Sequence, residues 1–178
     1  MGRAYVETFL WRPNTTVLAC VRDPSTEASR SLSALPVATG SILHIAKLDN
    51  ALPSDPVSAI QHIATALDVK HVDVTIANAG ITGSLSRVDS VPLDELKNVM
   101  QVNTWSHVLL FQSLVKHGLL RLGSKFIVAG SSLGSIGGVE QRPFPDTSYC
   151  VSKAALHFIS RKIHQEQPDL VVFNMDPG

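Results

Sequence analysis

The chain has 178 residues, enough for a real hydrophobic core, and its 15 Lys and Arg side chains balance 15 Asp and Glu. That balance gives no electrostatic reason to expect nucleic acid or a membrane surface as partner. At 44% hydrophobic and 17% charged, with no apolar run of membrane-spanning length, the composition is that of a soluble globular protein.

Met1-Gly2-Arg3-Ala4 lacks a secretory signal pattern. The first element is a helix over Gly2 to Trp11, with Tyr5, Phe9 and Leu10 near helical spacing. Thr16 to Val21 is a buried-strand run, and Cys20 within it is expected in the core. Cys20 and Cys150 make no disulfide framework, so a reducing, cytoplasmic setting is expected. Pro24 to Pro36 reads as a strand-helix connection, followed by a strand over Ile42 to Ala46. Asp55 as N-cap and Pro56 at the first helical position open a helix to Leu67. A strand over Val72 to Ala77 follows, then one long helix from Pro92 to His117. Lys125 to Ala129 and Leu170 to Phe173 are the last two strands, separated by a helix over Ser148 to Gln165. No internal repeat or linker is present, so residues 1–178 are expected to form a single domain. Strands alternating with helices predict an α/β fold with a parallel sheet.

The chemistry concentrates in Tyr149-Cys150-Val151-Ser152-Lys153. Residues four apart share a helix face, so the phenol and the ammonium reach one pocket. A cation beside a phenol favours phenolate and makes Tyr149 a usable proton donor near neutral pH. Polar or glycine residues also sit at five successive strand ends: Arg22-Asp23, Lys47 to Asn50, Asn78-Ala79-Gly80, Ser131 and Pro177-Gly178. Ligands bind at that edge in doubly wound sheets. The seven histidines show no chelating spacing, and no metal site is expected; His157 and His164 lie two turns apart on one helix.

With these residues the chain resembles the short-chain dehydrogenase/reductase family over nearly its whole length. Asn78-Ala79-Gly80 resembles the family's Asn-Ala-Gly motif, Asn103 its mid-helix asparagine, and Ser131-Ser132-Leu133-Gly134 its Ser-x-x-Gly pattern. The resemblance implies a Rossmann-like doubly wound parallel sheet with helices on both faces. It implies a catalytic set of Ser131 (with Ser132 the alternative), Tyr149, Lys153 and Asn103. It further implies a nicotinamide cofactor held by Arg22, Asp49, Asn78, Ala79, Gly80, Tyr149, Lys153, Pro177 and Gly178, with Asp49 at the adenine and Pro177-Gly178 near the nicotinamide. Hydride transfer to a small-molecule carbonyl would be completed by a proton from Tyr149, with Asn103 holding a relay water. Arg22 favours NADP over NAD, because a cation there meets a 2′-phosphate, and Asp23 beside it weighs the other way. Arg3 to Leu10, Arg12 to Thr16 and Val21 to Pro24 resemble fungal ketoreductases of the norsolorinic acid type, which implies a polyketide-like aryl ketone.

Against the family pattern, the first strand, most of its glycine-rich loop and the C-terminal substrate segment are missing, so the chain is expected to be a partial domain. The absent strand belongs between those ending at Val21 and Ala77. Two repairs are expected: direct pairing of those two strands, or an open edge, with weak or absent cofactor binding. A homodimer or homotetramer through the two long helices is the partner the family implies. Two other readings compete with the reductase: a non-catalytic remnant or assembly partner, and a sugar-nucleotide epimerase or dehydratase, against which Asn78-Ala79-Gly80 counts.

Overall fold

A computed structural model describes residues 1–178. The chain divides into two compact units, Met1–Asp49 and Asn50–Gly178.

The first unit opens with α1 (Gly2–Leu10). Val6 and Leu10 lie four apart and join one apolar cluster with Ala19, Leu32 and Leu35, Leu10 being fully buried. Pro13 cannot continue the helix, and Asn14 turns the chain in the left-handed region at φ 54°. Gly40 faces that turn at φ 74°, and a Cβ there would meet Asn14 Oδ1 at 2.3 Å, so only glycine fits. Strand β1 (Thr16–Val21) pairs in parallel with β2 (Ile42–Lys47), Thr16 opposite Ile42 and Val21 opposite Lys47. Between them the Pro/Ser stretch is more ordered than a simple connection. It holds a short helix, α2 (Glu27–Arg30), capped by Thr26 Oγ1 accepting from the Ser29 amide, and a 3-10 turn over Ser31–Ala34 that supplies Leu32 to the cluster. Cys20 is exposed, not core, because alternation along β1 turns it to the face opposite buried Ala19.

The second unit begins with α3 (Ser54–Thr65), which starts two residues before Pro56; its N-cap is Pro53, not Asp55. Pro56 is tolerated because the first helical amides have no intrahelical partner. Three parallel strands follow in the order β3 (Val74–Ala77), β4 (Lys125–Ala129), β5 (Val171–Met175). Ala77 lies opposite Val128, and Val128 opposite Asn174. Phe126 and Val128 are buried, and Phe126 meets Phe111 edge-on at 5.2 Å between centroids. The expected long helix is three pieces: α4 (Leu93–Met100), a π turn over Gln101–Trp105, and α5 (Ser106–Lys116). Helix α6 (Thr147–Glu166) precedes β5.

Parallel strands alternating with helices make this an α/β, Rossmann-like fold. Direct pairing of β1 with β3 does not occur: β1 hydrogen-bonds to β2 and β3 to β4, each keeping one edge without a strand partner. No helix is long and apolar enough to cross a membrane.

Candidate active site

The polar centre of the second unit is built from the start of α6. Asp146, fully buried, caps the helix: its Oδ1 accepts from the Tyr149 amide at 2.9 Å and from Ser148 Oγ at 2.9 Å. Its Oδ2 accepts from the Gly83 amide at 2.9 Å. Glu95 accepts from Ser84 Oγ at 2.5 Å and, at 2.8 Å, shares the single Ser148 hydroxyl hydrogen with Asp146, and the Ser84 and Ser148 hydroxyls hold its carboxyl below the usual range. This network fixes where the first turn of α6, and therefore Tyr149, begins.

Four residues on, Lys153 is only 3% exposed. Its Nζ donates to Ala129 O at 2.8 Å and stands 5.5 Å from the centre of the Tyr149 ring. Burial lowers the ammonium to about 8, so Lys153 stays charged at neutral pH but loses its proton far more readily than a surface lysine. Ala129 ends β4, and the serine turn follows directly. Gly134 seats that turn on α6: a Cβ there would lie 2.7 Å from the Lys153 carbonyl carbon and 2.9 Å from its Cβ. Ser131 caps the turn with Oγ accepting from the Leu133 amide at 3.2 Å, which leaves the hydroxyl hydrogen free to donate elsewhere. The Ser131 amide donates to His157 Nε2 at 3.3 Å, and the Ser132 amide to Asp176 Oδ2 at 2.8 Å. Asp176 also accepts from the Gly178 amide at 3.2 Å, so the serine turn is tied to Pro177-Gly178 beyond β5. Those two amides hold the Asp176 carboxyl below its usual value. A small hollow of about 60 Å³ is lined by Ser132, Leu133, Cys150 and Phe144 among others.

Asn103 lies in the π turn and is fully buried. Single-turn π segments inside helices recur at functional sites. Oδ1 accepts from the Ile81 amide at 2.8 Å, and Nδ2 donates to Ile81 O and to Ser152 Oγ, each at 2.9 Å. The asparagine thereby clips the segment after Asn78-Ala79-Gly80 to α6. Gly80 leaves room at the centre: a Cβ on it would sit 3.4 Å from both Asn103 Oδ1 and Lys153 Nζ. One turn beyond Asn103, His107 is 2% exposed, and neither ring nitrogen closes a hydrogen bond. Burial, then the Lys153 charge, lower it to about 4, although the nearby Ala79 carbonyl pulls weakly the other way.

Lys153 Nζ therefore stands near the Tyr149 ring, the Ala129 carbonyl that ends β4 and, with Asn103, the Gly80 backbone, while Gly134 packs the serine turn on the Lys153 backbone. Arg22 and Asp49 lie in the first unit, just past the paired ends of β1 and β2. Arg22 is exposed, while the Asp23 carboxylate is held by the Ser25 hydroxyl at 2.7 Å and amide at 2.8 Å, which lower it. For a nicotinamide dinucleotide the second unit offers two fitting features. Asn78 Oδ1 is buried without a partner, and Lys153 spends only part of its donor capacity on Ala129. The residues fit such a group.

Asp146, Glu95, Ser152 and His157 complete the network, and the sequence alone assigns none of them a role. A capping aspartate three residues before Tyr149 was a readable signal. His157 stands at the same spacing of four after Lys153 that joins Lys153 to Tyr149. Nothing in the sequence marked Ser152.

The family model described as short chain dehydrogenase matches residues 1–178. A norsolorinic acid ketoreductase of Dothistroma septosporum is 38% identical over the whole chain, which covers 67% of that protein. One of Aspergillus parasiticus is 36% identical, again over the whole chain and 66% of the relative. The chain thus spans about two thirds of the length of these curated relatives. Among solved structures, an NADPH-bound carbonyl reductase from chicken fatty liver superposes with a TM-score of 0.81 at 23% identity, over 98% of this chain and 70% of that one. A Serratia marcescens short-chain dehydrogenase/reductase mutant gives 0.82 at 22% identity, over 99% and 69%. At such identities the superpositions speak for the fold.

Proposed function

The chain belongs to the short-chain dehydrogenase family, an oxidoreductase by that membership, and on this premise we propose that it is an NADP-dependent ketoreductase that reduces a small-molecule carbonyl to an alcohol with Tyr149 as proton donor. The observation that carries the reading is the convergence of the Tyr149 ring 5.5 Å from a buried Lys153 ammonium with the Ser131 turn seated by Gly134 on the same helix.

A bound nicotinamide dinucleotide would supply the hydride. Lys153 and Tyr149 would hold its ribose, and Asn78, Ala79, Gly80, Pro177 and Gly178 its nicotinamide half; within the first unit, Arg22 and Asp49 are the candidates for a 2′-phosphate and an adenine. Arg22 supports NADP because the competing charge of Asp23 is engaged by Ser25.

The chain's own residues do the rest. Ser131 donates its free hydroxyl hydrogen to the carbonyl oxygen, which polarises the bond and steadies the developing alkoxide. Tyr149 gives that oxygen its proton, and the Lys153 ammonium stabilises the phenolate left behind. Asn103 Oδ1 and Lys153 Nζ both approach Gly80, and a water held by Asn103 would return the proton through Lys153. A role in fungal polyketide metabolism and an aryl ketone substrate rest on the two ketoreductase relatives. Cytoplasmic residence rests on the two free cysteines. Exposed Trp105, Val151 and Phe158 on the helices of the second unit support a homodimer or homotetramer.

The test is carbonyl-dependent oxidation of NADPH by the purified protein and by Tyr149→Phe. With NADPH in large excess, to offset the weak cofactor binding expected of a partial domain, we expect turnover in the first and a loss of about a hundredfold or more in the second, as for a lost general acid. Equal rates would refute the assignment.

A further inference from the structure

The serine turn is held from beneath by a titratable acceptor. The Ser131 amide donates to His157 Nε2 at 3.3 Å, so the imidazole must carry its proton on Nδ1. The fit is tight, since a Cβ on Gly130 would lie 2.8 Å from that same Nε2 and 3.2 Å from Asn174 Cβ. A second acceptor, Asp176 Oδ2, takes the neighbouring Ser132 amide. The turn therefore presents consecutive N–H groups to one neutral ring and one carboxylate, while Ser131 Oγ accepts from Leu133. Backbone orientation at Ser131 sets where its hydroxyl points.

We propose that His157 is a positioning residue for Ser131: its neutral Nε2 anchors the Ser131 amide and thereby aims the hydroxyl, and protonation of the ring releases the turn. A protonated imidazole has two donors and no acceptor, so it would face the amide hydrogen with its own. The charged groups felt at His157 are Lys153 on its own helix and Asp176 beyond β5. The Ala129–Gly134 segment contributes only amides, carbonyls and hydroxyls. Burial, followed by the Lys153 charge, keeps the ring neutral to lower pH than a free histidine, and Asp176 opposes them. The inference rests on the reductase reading for the catalytic meaning of Ser131, and its structural half stands apart from turnover.

Nitrogen NMR of the purified protein reads that half directly. At pH 7.5 the His157 proton is expected on Nδ1, and the Ser131 amide shift is expected to follow the His157 titration with one midpoint. A proton on Nε2, or a Ser131 amide indifferent to that titration, overturns the proposal even in an active enzyme. The kinetic half uses two variants. His157→Gln supplies an acceptor that does not titrate; it should stay within about threefold of the parent at neutral pH and lose the acid limb of kcat. His157→Leu should lower kcat about tenfold at neutral pH with KM little changed, and the gap should close at acid pH where the parent ring is protonated. An acid limb in His157→Gln identical to the parent's overturns the proposal. If the amide follows the ring but the parent reduces no carbonyl, the anchor is supported and the reductase reading falls alone.

Discussion

The two units bury different things. Residues 1–49 close over an apolar cluster of Leu10, Ala19, Leu32 and Leu35 and bury no polar side chain. In residues 50–178 the buried set includes Asn103, Thr104, His107, Asp146, Ser148, Ser152 and Lys153. Burying polar groups is costly unless they are paired, so a fold retains them where they serve a purpose. Most are paired here, Asn103 with Ile81 and Ser152, Asp146 with three donors. The first unit is a small scaffold that carries two exposed strand ends, and the second holds a preorganised polar interior. If this contrast reflects division of labour, substitutions at the buried polar residues of the second unit should cost turnover or stability, and substitution of the exposed Arg22 in the first only cofactor preference.

The sharpest break would come at Lys153. Lys153→Met should lower carbonyl reduction by about a hundredfold or more, while a thermal melt shifts little, because the substitution also removes a buried charge. A large drop in melting temperature with activity retained would reverse the assignment of Lys153. Next is His107. Its folded-state value of about 4 lies below the unfolded 6.5, so the unfolded chain binds more protons between them and stability falls as pH drops through that window. That loss is on the order of 3 kcal/mol for a fully neutral buried ring, and His107→Leu should flatten the urea-midpoint profile between pH 6.5 and pH 4. Asp146→Ala should cost about 1–3 kcal/mol in chemical denaturation by orphaning the Tyr149 cap and the Gly83 amide. The smallest effect belongs to the first unit. Arg22→Ala should weaken NADPH relative to NADH by about tenfold, near the worth of one exposed charge contact to a phosphate, with the melt unchanged. An Arg22 variant that unfolds would erase the proposed contrast.

The five strands were readable because each is a short apolar run bounded by polar or turn residues. The proximity of Tyr149 and Lys153 was readable because a spacing of four is geometric. What escaped has physical causes. The π turn over Gln101–Trp105 interrupts a helix without interrupting its apolar periodicity, so Pro92 to His117 reads as one element. Asp55-Pro56 mimics a helix start, yet Pro53 is the cap, because proline is tolerated anywhere among the first unpaired amides. Asp146 stands where a cap is legible, but the hydroxyl-rich run Thr147-Ser148 offers competing caps, and the hydrogen bond from the Tyr149 amide decides for Asp146. Asn103 could be assigned as a candidate, but its double grip on Ile81 depends on a 22-residue separation that no local pattern encodes.

The most direct measurement is the fate of a label. NADPH carrying deuterium at the transferable nicotinamide position, turned over by this protein with an aryl ketone, should deliver that deuterium to the new carbinol carbon, and Tyr149→Phe should nearly abolish its appearance. Oxidation of NADPH that leaves the carbinol carbon unlabelled, or labelling untouched by loss of the phenol, would contradict the reductase centre built around Tyr149 and Lys153.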